Sequence, residues 1–184
     1  MSNTKLALLV PAFMLATTAG CSTTTGEQPA AGPSTSSVAQ SSPEPGGTCT
    51  KAGGLSVALG GDEGGAGHRR VVLTLTNTSG AACRLTGYPG VAALDAGGRQ
   101  LAQARRTERG YMSGPTPVRT VEIAAGGSAQ AVVEGLGAKP DGSGCTDVAG
   151  LLVTAPDDTE STRLDWHTDT CPDLEVHPVT TGNG

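Results

Sequence analysis

Aromatic side chains are nearly absent: Phe13, Tyr88, Tyr111 and Trp166 make up 2 % of 184 residues. A folded core in this chain must therefore be assembled from Leu, Val and Ala around a single tryptophan. Long apolar runs are missing beyond the first twenty residues, and none approaches the ~20 residues that cross a bilayer as a helix, so no transmembrane helix is expected after that point. Cationic charge is also scarce, with 12 Lys and Arg against 17 Asp and Glu for a net charge of −5, which argues against nucleic acid as a partner. The chain lacks a G-x-S-x-G elbow, an H-E-x-x-H pair and a phosphate-cradling glycine loop with lysine, so the common nucleophilic, zinc-hydrolytic and nucleotide signatures are excluded. There is no C-x-x-C pair to favour zinc over disulfides, and Met112 is the one methionine beyond residue 14, which rules out a methionine-rich copper(I) site. No metal or cofactor is expected.

What is present begins with "MLATTAGCSTTTGEQP", residues 14–29, where an apolar run stops on a cysteine and passes at once into polar, turn-prone residues. Lys5 and the amino terminus precede an apolar stretch at residues 6–16 that ends in the small residues Ala19 and Gly20, the layout of an export signal. The step into Cys21 resembles the bacterial lipoprotein signal, in which small residues admit a dedicated peptidase and the cysteine becomes a diacylated N-terminus. Thr18 departs from that pattern, where Leu is usual. The alternative is an ordinary secretory signal, for which Thr17 and Ala19 make a poor small-x-small site. Acyl chains add ~0.8 kcal/mol per buried CH2, and stable anchoring takes two such signals, which a diacylated, palmitate-bearing cysteine supplies. The expectation is a signal peptide over 1–20, a lipidated Cys21, and a location on the outer face of the cytoplasmic membrane.

Residues 21–47 are almost wholly Ser, Thr, Gly, Pro, Ala, Gln and Glu, a composition that cannot bury enough surface to offset its ordering entropy. The segment reads as a disordered linker spanning roughly 30 Å as a flexible coil, either a plain spacer or a site of O-glycosylation. Residues 48–180 form the expected folded domain, with 181–184 left as a disordered tail.

Within the domain the apolar period is two. Leu55, Val57 and Leu59 share one face, and "RRVVLTLTN" sets Val71, Leu73 and Leu75 against Val72, Thr74 and Thr76. Further short runs ("GVAAL", "VRTVEI", "AQAVVEGL", "GLLVTAP", "TRLDWH", "LEVHPV") alternate with turn clusters such as "NTSG", "DAGG" and "KPDGSG". Seven or eight short strands without a helical period predict an all-β, immunoglobulin-like antiparallel sandwich. "ALDAGGRQL" predicts a hairpin, "IAAGGSAQA" a tight connection, and "GYPG" a type II turn with Gly90 at positive φ. Trp166, sharing a face with Leu164, is expected in the core with Asp165 and His167 outside.

Setting Cys21 aside leaves Cys49, Cys83, Cys145 and Cys171, an even number that predicts disulfides in an exported chain. Four cysteines permit three pairings. Cys49 precedes the first strand of a hairpin and Cys83 follows the second, and Cys145 and Cys171 stand in the same relation around a later strand pair, which favours 49–83 and 145–171. Each bridge should add ~3–4 kcal/mol by the chain-entropy model.

Residues 65–101, "GAGHRRVVLTLTNTSGAACRLTGYPGVAALDAGGRQL", resemble the core of domain of unknown function 4232, found in exported proteins and lipoproteins of high-GC Gram-positive bacteria. The matching features are Gly67 and His68 opening a strand, the turn at 77–80, Cys83, then Gly87, Tyr88, Pro89, Gly90 and Val91, and Leu94, Asp95 and Gly98. The resemblance implies the sandwich and the disulfides and brings no established activity.

No residue set declares a reaction. His68, His167 and His177 lie on different predicted strands, with His68 read as a cap or charge partner beside Arg69 and Arg70. Asp157, Asp158 and Glu160 share one loop without EF-hand spacing and read as a solvated hairpin tip. The segment "RQLAQARRTERGYMSGPTP" brings Arg99, Arg105, Arg106 and Arg109 into an irregular loop with Tyr111 and Met112. Long loops are often functional, and Arg and Tyr are favoured at interface hot spots. Tyr88, Arg105, Arg106, Arg109 and Tyr111 are therefore the candidate interaction surface. The expected function is a membrane-anchored lipoprotein that binds an unidentified protein or envelope component without catalysis. The alternatives are an envelope-acting hydrolase and a passive structural protein.

Overall fold

The computed structural model describes residues 46–182, which form an all-β sandwich. The expected signal peptide, Cys21 and nearly all of the expected linker lie outside the described residues. The strands, numbered in chain order, are β1 (Leu55–Gly65), β2 (His68–Asn77), β3 (Cys83–Thr86), β4 (Gly90–Leu94), β5 (Gln100–Gln103), β6 (Arg105–Arg106), β7 (Thr120–Ile123), β8 (Ser128–Leu136), β9 (Val148–Thr154), β10 (Ser161–Thr168), β11 (Glu175–Val176) and β12 (Thr180–Thr181). Twelve exceed the expected seven or eight; the additional strands include β6 and β12, each of two residues and too short to show a period in sequence.

One sheet runs β1-β2-β8-β11-β6, with β12 also on β8; the other runs β10-β9-β4-β5, and β3 and β7 form a small third pair. Alternation assigns the inner face. Val71, Leu73 and Leu75 of β2 and Ala129, Ala131 and Val133 of β8 are buried, and they join Val91, Ala93, Leu151 and Val153 of the second sheet in one core with Trp166. A fully buried Val or Leu stabilises by ~1.5–3 kcal/mol, so this aliphatic layer carries the fold despite the missing aromatics. Trp166 is buried and donates its indole N–H to Asp62 Oδ2 at 3.2 Å, while Asp165 and His167 are exposed, as the alternation predicts.

Both cysteine pairings are those expected, Cys49–Cys83 with Cα atoms 5.0 Å apart and Cys145–Cys171 at 4.8 Å. Each closes the open end of an antiparallel hairpin, β1–β2 in the first case and β9–β10 in the second. Asn77 ends β2 fully buried, donating to Ala81 O, Ile123 O and Ala124 O and accepting from Ser79 N–H and Oγ–H. A buried side-chain amide is tolerated only when satisfied in this way, and Asn77 thereby ties the 77–80 turn to the end of β7.

The predicted hairpin forms between β4 and β5, where Gly98 has φ 79° and Arg99 pairs with Asp95. Two expectations are corrected. Gly90 is not at positive φ, because it pairs with Thr154 in the β4–β9 ladder and is extended there; the left-handed residue of "GYPG" is Gly87, at φ 95°. The tail does not begin at 181, because Thr181 pairs with Ala129 and Gly182 N–H donates to Ser128 O. No helix among the described residues is long and apolar enough to cross a membrane.

Candidate functional site

Sheet register builds the site. Across the large sheet, Glu63 pairs with Arg70, Arg70 with Glu134, Glu134 with Glu175, and Glu175 with Arg105. Because side chains alternate along each strand, and Val133 and Val176 point into the core, this charged row lies on the outer face. Arg70 bonds Glu63 at 3.1 Å, and Arg105 pairs with Glu175. Glu134 and Glu175 are therefore like charges side by side, flanked by an arginine at each end.

An outer-face glutamate should be solvated, yet Glu134 is 0 % exposed. The reason is the loop after β6, residues 107–116, which closes on itself through Thr116 N–H to Glu108 O at 2.7 Å and lies over the sheet as a strap. Glu134 holds it there. Oε2 accepts the Tyr111 and Met112 N–H groups at 2.7 and 3.1 Å, and Oε1 accepts Ser113 Oγ–H at 2.6 Å. Hydrogen bonds to an ionised group are about twice as strong as neutral ones. Burial, the largest single influence, works to raise the Glu134 pKa, but Ser113, Met112, the neighbouring His177 and Tyr111 together bring it below the usual carboxylate value. The group is ionised and its lone pairs are directed at the strap.

Beside it, His177 follows β11 on the same outer face and is 1 % exposed, with Nε2 3.8 Å from Glu134 Oε1. Neither ring nitrogen makes a hydrogen bond of good geometry among the described residues, although the Thr107 backbone lies close enough to favour the protonated ring. Burial depresses its pKa, opposed by the charges of Glu134 and Glu175 and assisted by Arg70, so His177 is neutral at pH 7. Gly110 passes directly above: a Cβ there would sit 2.6 Å from Glu134 Oε2 and 2.7 Å from His177 Nε2. Only glycine lets the strap close this tightly.

With its backbone fixed, Tyr111 remains 66 % exposed, the most exposed large hydrophobic residue of the described chain. Its ring stacks on His68 with centroids 4.5 Å apart. It lines two adjoining clefts of about 300 and 320 Å3, which share Arg105, Tyr111 and Glu175. The first is completed by Gln103, Asp173 and the end of β8, the second by Thr107 and Arg109.

Of the five candidate surface residues, the structure thus brings together Arg105, Arg109 and Tyr111. Arg106 alternates to the other side of β6 from Arg105, and Tyr88, whose pKa is raised by burial and by Glu108 against the opposing charge of Arg106, lies near Arg106 rather than at the clefts. Arg99 is spent on its own hairpin. His68 supports an aromatic ring rather than capping a strand, while Arg69 and Arg70 beside it pair with Asp169 and Glu63. Asp158 accepts the Lys51 N–H at 2.7 Å, linking the acidic loop to the segment after Cys49, and no group of three or more metal-ligating side chains occurs among the described residues. Glu134 is absent from the sequence candidates, and His177 appears there only as one of three scattered histidines; the available signal for Glu134 was a lone charge inside the apolar run "AVVEGL".

The family model of a domain of unknown function, DUF4232, matches residues 49–182, from the first disulfide cysteine to the residue after β12. The chain belongs to the DUF4232 family. No curated protein matches it. In this DUF4232 domain the matched span contains both disulfides, the strap and the buried Glu134 and His177.

Proposed function

We propose that this protein is an exported lipoprotein, held to the outer face of the cytoplasmic membrane through Cys21, whose DUF4232 sandwich serves as a non-enzymatic binding module of the cell envelope. The observation that carries the reading is the strap: a buried carboxylate spends both oxygens on presenting an otherwise irregular loop, and the loop's aromatic ring stands exposed above two clefts. A fixed aromatic beside arginines is the composition favoured at recognition sites. Two disulfides fit an oxidising compartment, and the tether of residues 21–47 would hold the sandwich away from the membrane.

The hydrolase alternative has one observation in its favour, the proximity of Glu134 to an unpartnered His177. Acid–base chemistry there would require the strap to leave, since its donors engage both Glu134 oxygens and Gly110 covers the imidazole.

Labelling cells with a clickable palmitate analogue tests the anchoring. The wild-type chain is expected to carry label and sediment with membranes, whereas Cys21→Ser is expected to be unlabelled and recovered in soluble fractions. An unlabelled wild-type chain would overturn the lipoprotein reading.

A further inference from the structure

We propose that the twin cleft beneath Tyr111 is a glycan-binding site, with the Tyr111 ring as a stacking platform and the charged side chains around it as hydroxyl partners. The inference rests on the binding-module reading and names its ligand class.

The chemistry follows from what the cleft contains. Stacking on His68 occupies one face of the Tyr111 ring, and the other is free in a residue still 66 % exposed. The backbone under the ring is fixed by its N–H bond to the buried Glu134, and His68 supports the ring itself from one side. Preorganisation of this kind lowers the ordering cost of binding. Around the ring are two guanidiniums, Arg105 and Arg109, and two carboxylates, Glu175 and Asp173.

Such a mixed-sign rim discriminates among ligand classes. A free anion meets Asp173, Glu175 and the ionised Glu134 behind them; a free cation meets the two arginines; an apolar ligand would desolvate all of these without pairing them. A peptide zwitterion finds the Arg105–Glu175 pair already closed and is left with Asp173 in one lobe and Arg109 in the other, which makes it the rival that the test must include. A sugar hydroxyl both donates and accepts, so it can bridge a carboxylate and a guanidinium while leaving their pair intact. The C–H face of a pyranose supplies the flat apolar surface that an aromatic ring accepts. Each lobe lies at the lower end of the ~300–1,000 Å3 range of ligand sites, and two lobes sharing one ring suit consecutive sugar units of a chain.

The test is titration of the full chain in detergent micelles with chitotetraose, cellotetraose and mannotetraose, and with tetraalanine as the zwitterionic probe, followed by saturation-transfer NMR. At least one tetrasaccharide is expected to saturate the protein, Tyr111→Ala is expected to weaken it about tenfold or more, as for an aromatic anchor, and Val118→Ala, at the other exposed large hydrophobic position among the described residues, is expected to leave it unchanged. Absence of binding by all three tetrasaccharides, or equal binding by Tyr111→Ala, overturns the glycan assignment. Tyr111-dependent binding of tetraalanine alone overturns it in favour of a peptide ligand and leaves the binding-module reading standing. The two readings also separate in cells: a Tyr111-dependent crosslink to an envelope protein with no glycan binding rejects the former and keeps the latter.

Discussion

Replacing Glu134 by Ala removes the one carboxylate that holds the strap, and the structure sets the scale of the loss. Three donors, Tyr111 N–H, Met112 N–H and Ser113 Oγ–H, lose their acceptor. At ~1.5–3 kcal/mol for each bond to a charged group the gross sum is roughly 5–9 kcal/mol. Most of it is recovered when the strap lifts and its donors meet water, and the desolvation of an ionised carboxylate is removed as well. A net loss of about 2–4 kcal/mol remains, equivalent for a domain of this size to a fall in Tm of about 6–16 °C. Urea unfolding measures the first quantity and a thermal melt the second. Amide hydrogen exchange at Tyr111 and Met112 locates the effect, since both amides should lose protection while those of β2 at Leu73 and Leu75 retain theirs up to global unfolding. A loss below about 0.5 kcal/mol, the range of an ordinary surface change, with protection at Tyr111 and Met112 unaltered, would refute the claim that Glu134 holds the strap.

Other outcomes follow from the same contacts. Gly110→Ala should open the strap by steric means alone, exposing the 111 and 112 amides to exchange, because its Cβ would meet Glu134 and His177 at 2.6 Å. Acid should act in the same direction. His177 has a native pKa below its ordinary 6.5, so the unfolded chain binds the extra proton first; the stability it contributes is complete above pH 6.5 and falls as pH drops towards its native value. Glu134, held below 4.5, adds a second loss as pH falls through that value. Urea midpoints at pH 7, 5.5 and 4 should therefore decline stepwise, and His177→Gln should flatten the first step. Opening the 145–171 bridge by paired Ser substitution should cost ~3.5 kcal/mol for its 26-residue separation and opening 49–83 slightly more for 34, both measured by urea unfolding of otherwise intact chains.

Local patterning made the scaffold legible. Val71, Leu73 and Leu75 announce the buried face of β2 by period alone, and hairpin logic selects the disulfide pairing because bridging cysteines must flank paired strands. Two-residue strands carry no period, so β12 was misplaced in the tail. "GYPG" misled for a related reason: Pro-Gly favours a type II turn locally, but the β4–β9 ladder takes Gly90 and moves the left-handed residue back to Gly87. The strap was legible as a loop rich in Arg and Tyr, and its attachment was not. Glu134 bonds residues 21 to 23 positions upstream through their backbone and one hydroxyl, contacts that leave no compositional trace. The charged row from Glu63 to Arg105 likewise exists only through register across four strand pairs.

The most direct test of the account is crosslinking on intact cells from a photoreactive amino acid placed at position 111, with the same group at position 118 as the comparison. Both positions are exposed, and only Tyr111 stands on the strap above the clefts. The account predicts a discrete crosslink to an envelope component from position 111, abolished when Glu134→Ala releases the strap, and none from position 118. Equal crosslinking from the two positions, or none from position 111, would contradict it.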